Sequence, residues 1–173
     1  MALKVLGSIF IILSCSFCGY SIKYKHSLRV KELENLLTCF DVININIATN
    51  LNNIYETLEN VLSCSSEINR KIFEYLLSNQ KRICDSSFSV LWKEALEKVN
   101  LEYNIYEKED MDALCKFGNM FGTGNYEIQS ENIKTLKVAI SKLIDKAKDD
   151  EKKLNVSAKI GIYAGIVLSV LLV

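Results

Sequence analysis

No proline interrupts this chain of 173 residues, and only seven glycines do. Helices can therefore run long without the kinks that proline forces. Charge of either sign is not in excess: 21 basic residues face 21 acidic ones. That balance gives no basic footprint for nucleic acid and no acidic tail. Histidine occurs once, as His26 in a basic flank, so neither a histidine-based catalytic group nor a histidine metal site is indicated. Cys39, Cys64, Cys84 and Cys115 stand 20 to 31 residues apart, without zinc-ligand spacing, and read as buried small apolar side chains in a reducing compartment. Cys15-Ser16-Phe17-Cys18 has redox-motif spacing but lies inside an apolar run, which argues against thioredoxin chemistry. The acidic cluster Glu107–Asp112 reads as a solvated helix N-terminus rather than a metal site. Phosphate binding by the glycine stretch is disfavoured, because the GKS/T ending is missing and a helix, not a strand, precedes it. No cofactor, metal or catalytic residue is expected, and the chain reads as non-enzymatic.

What is present is segregated. Val5–Ile22 is an uncharged run of 18 residues, just enough to span a bilayer at about 20 residues per crossing. Lys4 precedes it, and Lys23, Lys25, His26, Arg29 and Lys31 follow, so the positive-inside rule places the following segment in the cytoplasm. A cleaved signal peptide is the rival, yet its basic flank would lie on the wrong side. Ile12-Leu13-Ser14-Cys15 is a poor lipobox, and an exported or lipid-anchored helical binding protein is the alternative that it would serve. Ile160–Val173 is uncharged too; counted from Val156 with Lys159 snorkelling, it reaches 18 residues. Lys152, Lys153 and Lys159 put its preceding side in the cytoplasm as well. Gly161 and Gly165 are spaced as a small-xxx-small pair that allows close approach of membrane helices. The expected domains are a transmembrane helix over 1–22, a cytoplasmic helical domain over 23–153, and a second transmembrane helix over 154–173.

The middle is helical by periodicity. Leu33, Leu37, Phe40, Ile43 or Ile47, Leu51, Ile54, Leu58 and Val61 mark one stripe, weakened by asparagines near Ala48–Asn53. Ile68, Ile72, Phe73, Leu76 and Leu77 mark a helix over Glu67–Asn79. Asp85 and Ser86 are expected to cap another, with Phe88, Leu91, Trp92, Ala95, Leu96 and Val99 inward. Asn100–Tyr106 reads as a connection, and Glu107–Met120 as the next helix. All three glycines of the middle fall in Phe117-Gly118-Asn119-Met120-Phe121-Gly122-Thr123-Gly124-Asn125. The expectation is a chain reversal near 122–125, with Gly122 or Gly124 ending one helix and Asn125 capping the next. A stripe from Ile128 through Ile133 or Asn132, Leu136, Ile140 and Leu143 to Ala147 then leads into the polar run Lys148–Asn155. The fold class is all-α: a small helical bundle with long helical arms, flanked by two transmembrane helices.

These residues resemble the stage III sporulation protein AB family over nearly the whole chain. Leu3-Lys4-Val5-Leu6-Gly7 and Gly19 are similar to the family's opening, and Trp92-Lys93-Glu94-Ala95-Leu96 to its aromatic-x-x-Ala-Leu element. Leu114-Cys115-Lys116-Phe117-Gly118-Asn119-Met120-Phe121-Gly122, followed by Gln129, is the most specific likeness. The family's Ser-Asp is replaced by Gly124-Asn125. Its Glu and Pro in the Glu-Ile-x-Tyr/Phe-x-x-Thr-Pro-Leu element are missing here, where Thr49 and Leu51 remain. The resemblance implies a helical domain like the F-type platform proteins of type II secretion and type IV pilus systems. It also implies a place in the transenvelope channel between mother cell and forespore. Stage III sporulation protein AA, which resembles secretion ATPases, is the implied partner beside other components of the assembly and the lipid bilayer; oligomerisation is left open.

Overall fold

The computed structural model describes residues 2–50, 54–79, 87–120 and 126–172, without the side chains of 2–6, 8–9, 11–12, 15, 47–50, 54–55, 126 and 155–172. Six helices and no strand occur among the described residues: α1 (Ala2–Asn50), α2 (Ile54–Leu62), α3 (Glu67–Ser78), α4 (Phe88–Tyr103), α5 (Lys108–Met120) and α6 (Tyr126–Leu172). The all-α expectation is met. Among the described residues no helix is long and apolar enough to cross a membrane.

The chain divides into two units, Met1–Leu28 with Lys146–Val173, and Arg29–Asp145. Helices α1 and α6 contribute residues to both. In the first unit Phe10, Leu13, Phe17, Tyr20 and Tyr24 are all exposed, Phe17 at 72%. Their spacing of three and four puts them along one face of α1.

The second unit holds the core. From α1 come Val30, Leu33, Leu36, Cys39, Phe40 and Ile43, all buried, whereas Leu37 is half-buried. The expected weakness among the asparagines coincides with the end of α1 at Asn50 and the start of α2 at Ile54. Helix α3 opens on Ser66, whose hydroxyl accepts from the Asn69 N–H at 3.2 Å, and closes on Asn79. Helix α4 buries all six side chains expected of it. Its N-cap is Ser87; Asp85 and Ser86, the expected caps, lie outside the described residues. It also runs four residues into the expected connection, as far as Tyr103. Asn104 ends it in the left-handed region at φ 48°, donating its N–H to the Asn100 carbonyl at 2.7 Å. Asparagine tolerates that conformation better than most residues.

Helix α6 buries Ile133, Leu136, Ile140, Ile144 and Ala147. Ile128, expected to begin that stripe, is 52% exposed instead. Lys137 of α6 pairs with Asp41 of α1 on the surface. The expected reversal is bracketed by Met120 and Tyr126, but Phe121, Gly122, Gly124 and Asn125 lie outside the described residues, as do the surroundings of Gly161 and Gly165.

Candidate functional site: a polar lock and an aromatic cluster

Two features of the second unit organise it. One was legible as a motif, and the other was not.

The legible one surrounds Phe117 and Gly118. The Phe117 ring lies 4.5 Å from that of Phe40 and 4.9 Å from that of Trp92, centroid to centroid. Phe88 and Phe73 stand 6.2 and 6.1 Å from Trp92. Each such pair adds about 0.5–1.5 kcal/mol beyond its burial. Buried indole N–H groups need an acceptor, and Trp92 Nε1 donates to the Leu114 carbonyl at 2.7 Å. Gly118, four residues after Leu114 along α5, also faces Trp92. A Cβ placed there would meet Trp92 Cδ1 at 2.8 Å and the Ser89 Cα at 3.1 Å. Gly118 is therefore required by close approach of α5 to α4, not by a special backbone conformation. Gln129 of α6 borders a small cleft with Phe117, Met120, Asn132 and Ile133. So of the motif residues, Phe117, Gly118 and Gln129 are brought to one region of the unit.

The second feature is a buried polar network that joins α1 to α3 and α5. Arg29, itself buried, donates from Nε and Nη2 to the two carboxylate oxygens of Asp110 at 2.7 and 2.9 Å. Its Nη1 lies 2.7 Å from Glu107 Oε1. Asp110 is 0% exposed and also accepts from the Glu107 N–H at 2.9 Å, closing the first turn of α5. One turn further along α1, the Glu32 carboxylate accepts from the Ser66 hydroxyl, and the Glu32 carbonyl accepts from Asn69 Nδ2 at 2.9 Å. Asn35 Oδ1 accepts from the Ser66 N–H at 2.8 Å and from Asn69 Nδ2 at 3.0 Å, while Asn35 Nδ2 donates to the Cys64 carbonyl at 2.9 Å. The Tyr106 hydroxyl donates to Asn69 Oδ1. Three successive turns of α1 are thus fixed against their neighbours in both register and rotation.

The environment shifts the titrating groups as burial dictates. Desolvation raises the Glu32 carboxyl above its ordinary range, against the opposing pull of its Ser66 hydrogen bond and of Lys31. Desolvation also carries the Tyr106 phenol well above its usual value, with the nearby Glu32 and Asp110 charges adding to the effect. The Cys39 thiol is pushed up to about 12, chiefly by burial. A thiol so placed is an inert core group.

This corrects two readings of the sequence. Arg29 was counted among the basic residues flanking a membrane segment, but its charge is spent on Asp110. Glu107–Asp112 was read as a solvated helix start, yet Asp110 is fully buried. The missed signal was the pair of charges 81 positions apart, which no local pattern reveals. Of the four cysteines read as buried, Cys39 is, Cys64 and Cys115 are half-buried, and Cys84 lies outside the described residues. Among the described residues no group of three His, Cys, Asp or Glu side chains could hold a metal ion.

No curated protein and no solved structure matches this chain. The sequence model of the family described as stage III sporulation protein AB matches residues 4–173, essentially the whole chain. Matched over that length, the chain belongs to the stage III sporulation protein AB family.

Proposed function

We propose that this protein is a non-enzymatic membrane platform of the sporulating cell. In this reading it sits in the mother-cell (outer forespore) membrane by its two apolar ends, with the charged middle in the cytoplasm. It holds a secretion-type ATPase, stage III sporulation protein AA, against the ring components of the channel joining mother cell and forespore. The match to a sporulation family over residues 4–173 carries the reading. The exposed apolar stripe Phe10–Leu13–Phe17 supports anchoring, because side chains of that size exposed in a row are costly in water and at home in lipid. The polar lock supports a platform role: it fixes α1 against the unit that would carry a partner.

Cross-linking in sporulating cells, followed by purification of the tagged protein, tests the partnership. Recovery of the ATPase or a ring component is expected; recovery of neither counts against the platform. Topology is tested by cysteine labelling with a membrane-impermeant reagent in intact cells. Cys39 would be protected on either side of the membrane because it is buried, so the reporter should be Leu101→Cys, at a position 88% exposed. Protection until the cells are permeabilised is expected. Labelling in intact cells would favour an exported binding protein instead.

A further inference from the structure

The end of the exposed stripe on α1 has a chemistry of its own. Phe10, Leu13 and Phe17 are followed on the same face by Tyr20 and Tyr24, whose rings stack at 6.5 Å with an interplanar angle of 19°. Both tyrosines are exposed, and Lys23 and Lys25, also exposed, lie beside and between them in sequence. Lys23 stands three residues after Tyr20, on the same side of the helix. Moving along α1 from Phe10 to Lys25, the large exposed side chains pass from apolar, to aromatic with a polar tip, to cationic, with the small hydroxyls of Ser14 and Ser16 also exposed in the first stretch. That is the order of a bilayer traversed from acyl chains through the interface to the phosphates. Phe10 to Tyr20 spans ten residues, or about 15 Å at 1.5 Å per residue, close to half of a hydrocarbon core of about 30 Å.

The neighbouring charge makes these two lysines decisive. Arg29 would have shared the task in a simple count of basic residues, but it is buried against Asp110. Within the first unit, the exposed cations that follow the apolar run are Lys23 and Lys25. A zwitterionic headgroup offers them no net charge, whereas an anionic phospholipid does.

We propose that Tyr20–Lys25 is an interfacial collar that recognises anionic phospholipid headgroups and sets the depth of α1 in the bilayer. The tyrosines hold the helix at headgroup level through amphipathic rings, and the lysines select the lipid by charge. This rests on the membrane reading above and adds a ligand class and a site to it.

The test uses the full-length protein reconstituted into phosphatidylcholine vesicles carrying a trace of spin-labelled phosphatidylglycerol or of spin-labelled phosphatidylcholine. The motion-restricted fraction of each label measures association with the protein. The anionic label should associate more strongly, by about fivefold for each lysine that engages it. The preference should shrink as salt rises from about 0.1 M to 1 M and the screening length falls from about 10 to 3 Å. Lys23→Gln with Lys25→Gln should bring the two labels to parity, and Lys23→Arg with Lys25→Arg should restore the preference. Equal restriction of both labels by wild-type protein that has entered the vesicles overturns the collar alone, as does a preference that survives the double glutamine change. Protein that stays out of the vesicles overturns the membrane reading and the collar together.

Discussion

Helix α1 reverses the usual rule of solubility between its two halves. Over residues 10–24 it exposes Phe10, Leu13, Phe17, Tyr20 and Tyr24; over residues 29–46 it buries Arg29, Glu32 and Asn46 among its apolar side chains. The difference teaches what each half was selected to meet. Large exposed apolar groups in a row suit a surrounding of low polarity. Buried charges are tolerated where each is paired and hydrogen-bonded, and they specify register more than they add stability. Apolar packing alone would let a long helix rotate or slide by a turn at modest cost. The Arg29–Asp110 pair and the Asn35–Ser66–Asn69 network permit one arrangement.

The contrast is broken most severely at Asp110. Asp110→Ala leaves the Arg29 guanidinium buried without its bidentate acceptor and also removes the first-turn contact of α5. A loss of about 3–5 kcal/mol is expected, read by denaturant titration of the full-length protein in detergent. Replacing both partners, Arg29→Met with Asp110→Leu, should cost much less, because neither change then strands a charge. An equal loss in the double variant would mean that the network, rather than the stranded charge, sets the cost.

Next in size is Gly118. Even Gly118→Ala must push the Trp92 ring, and Gly118→Leu should cost about 1–3 kcal/mol by overpacking. Because Trp92 is the single tryptophan, its fluorescence reports the displacement directly. Unchanged emission and melting in Gly118→Leu would show that α4 and α5 part more easily than their packing indicates.

How far the sequence could be read follows the same division. Periodicity located the inward face of α4 residue by residue, and that of α3 at Ile68, Ile72, Phe73 and Leu76, with Leu77 half-buried and the buried Asn69 unforeseen, since these are local repeats of a helix. The Phe117-Gly118 motif is legible as a motif, inside the helix expected over Glu107–Met120. What the sequence does not reveal is the neighbour: a Cβ at Gly118 would meet Trp92 of α4 at 2.8 Å. The pairing of Arg29 with Asp110 escaped notice, because charges beside an apolar run and in a first helical turn have local explanations that suffice. Only the contact across 81 residues makes them one feature. Ile128 failed for the complementary reason: an apolar residue at the right spacing near a helix end can still fall outside the packed stretch.

A smaller effect, with a sign fixed by pH, is expected at Glu32. Its folded pKa is raised by burial, so the folded state binds the proton more readily than the unfolded chain, where a glutamate titrates near about 4.3. The stability this group contributes is fully present below that unfolded value and is lost as pH rises through the raised folded one. Glu32→Gln, which keeps an acceptor for the Ser66 hydroxyl but carries no charge, should therefore be more stable than wild type at neutral pH. The difference should close as the pH is lowered toward 4, because the wild-type side chain then becomes neutral as well. A variant less stable at pH 7 would show that the charged hydrogen bond to Ser66 outweighs the burial.

The smallest change in folding stability should come from the half of α1 that looks most vulnerable on paper. Phe17 is large, aromatic and 72% exposed, so Phe17→Gln removes no core contact and should shift unfolding of the Arg29–Asp145 unit by less than about 0.5 kcal/mol. Its effect should appear elsewhere, in the share of protein recovered with vesicles after reconstitution, which should fall because a glutamine must then be buried among acyl chains. The same substitution type at Phe40, whose ring is fully buried against Phe117, should do the opposite: collapse the fold first. If Phe17→Gln instead lowered the stability of the folded unit as Phe40→Gln does, the stripe would be packing surface rather than lipid-facing surface, and the opposition between the two halves of α1 would disappear.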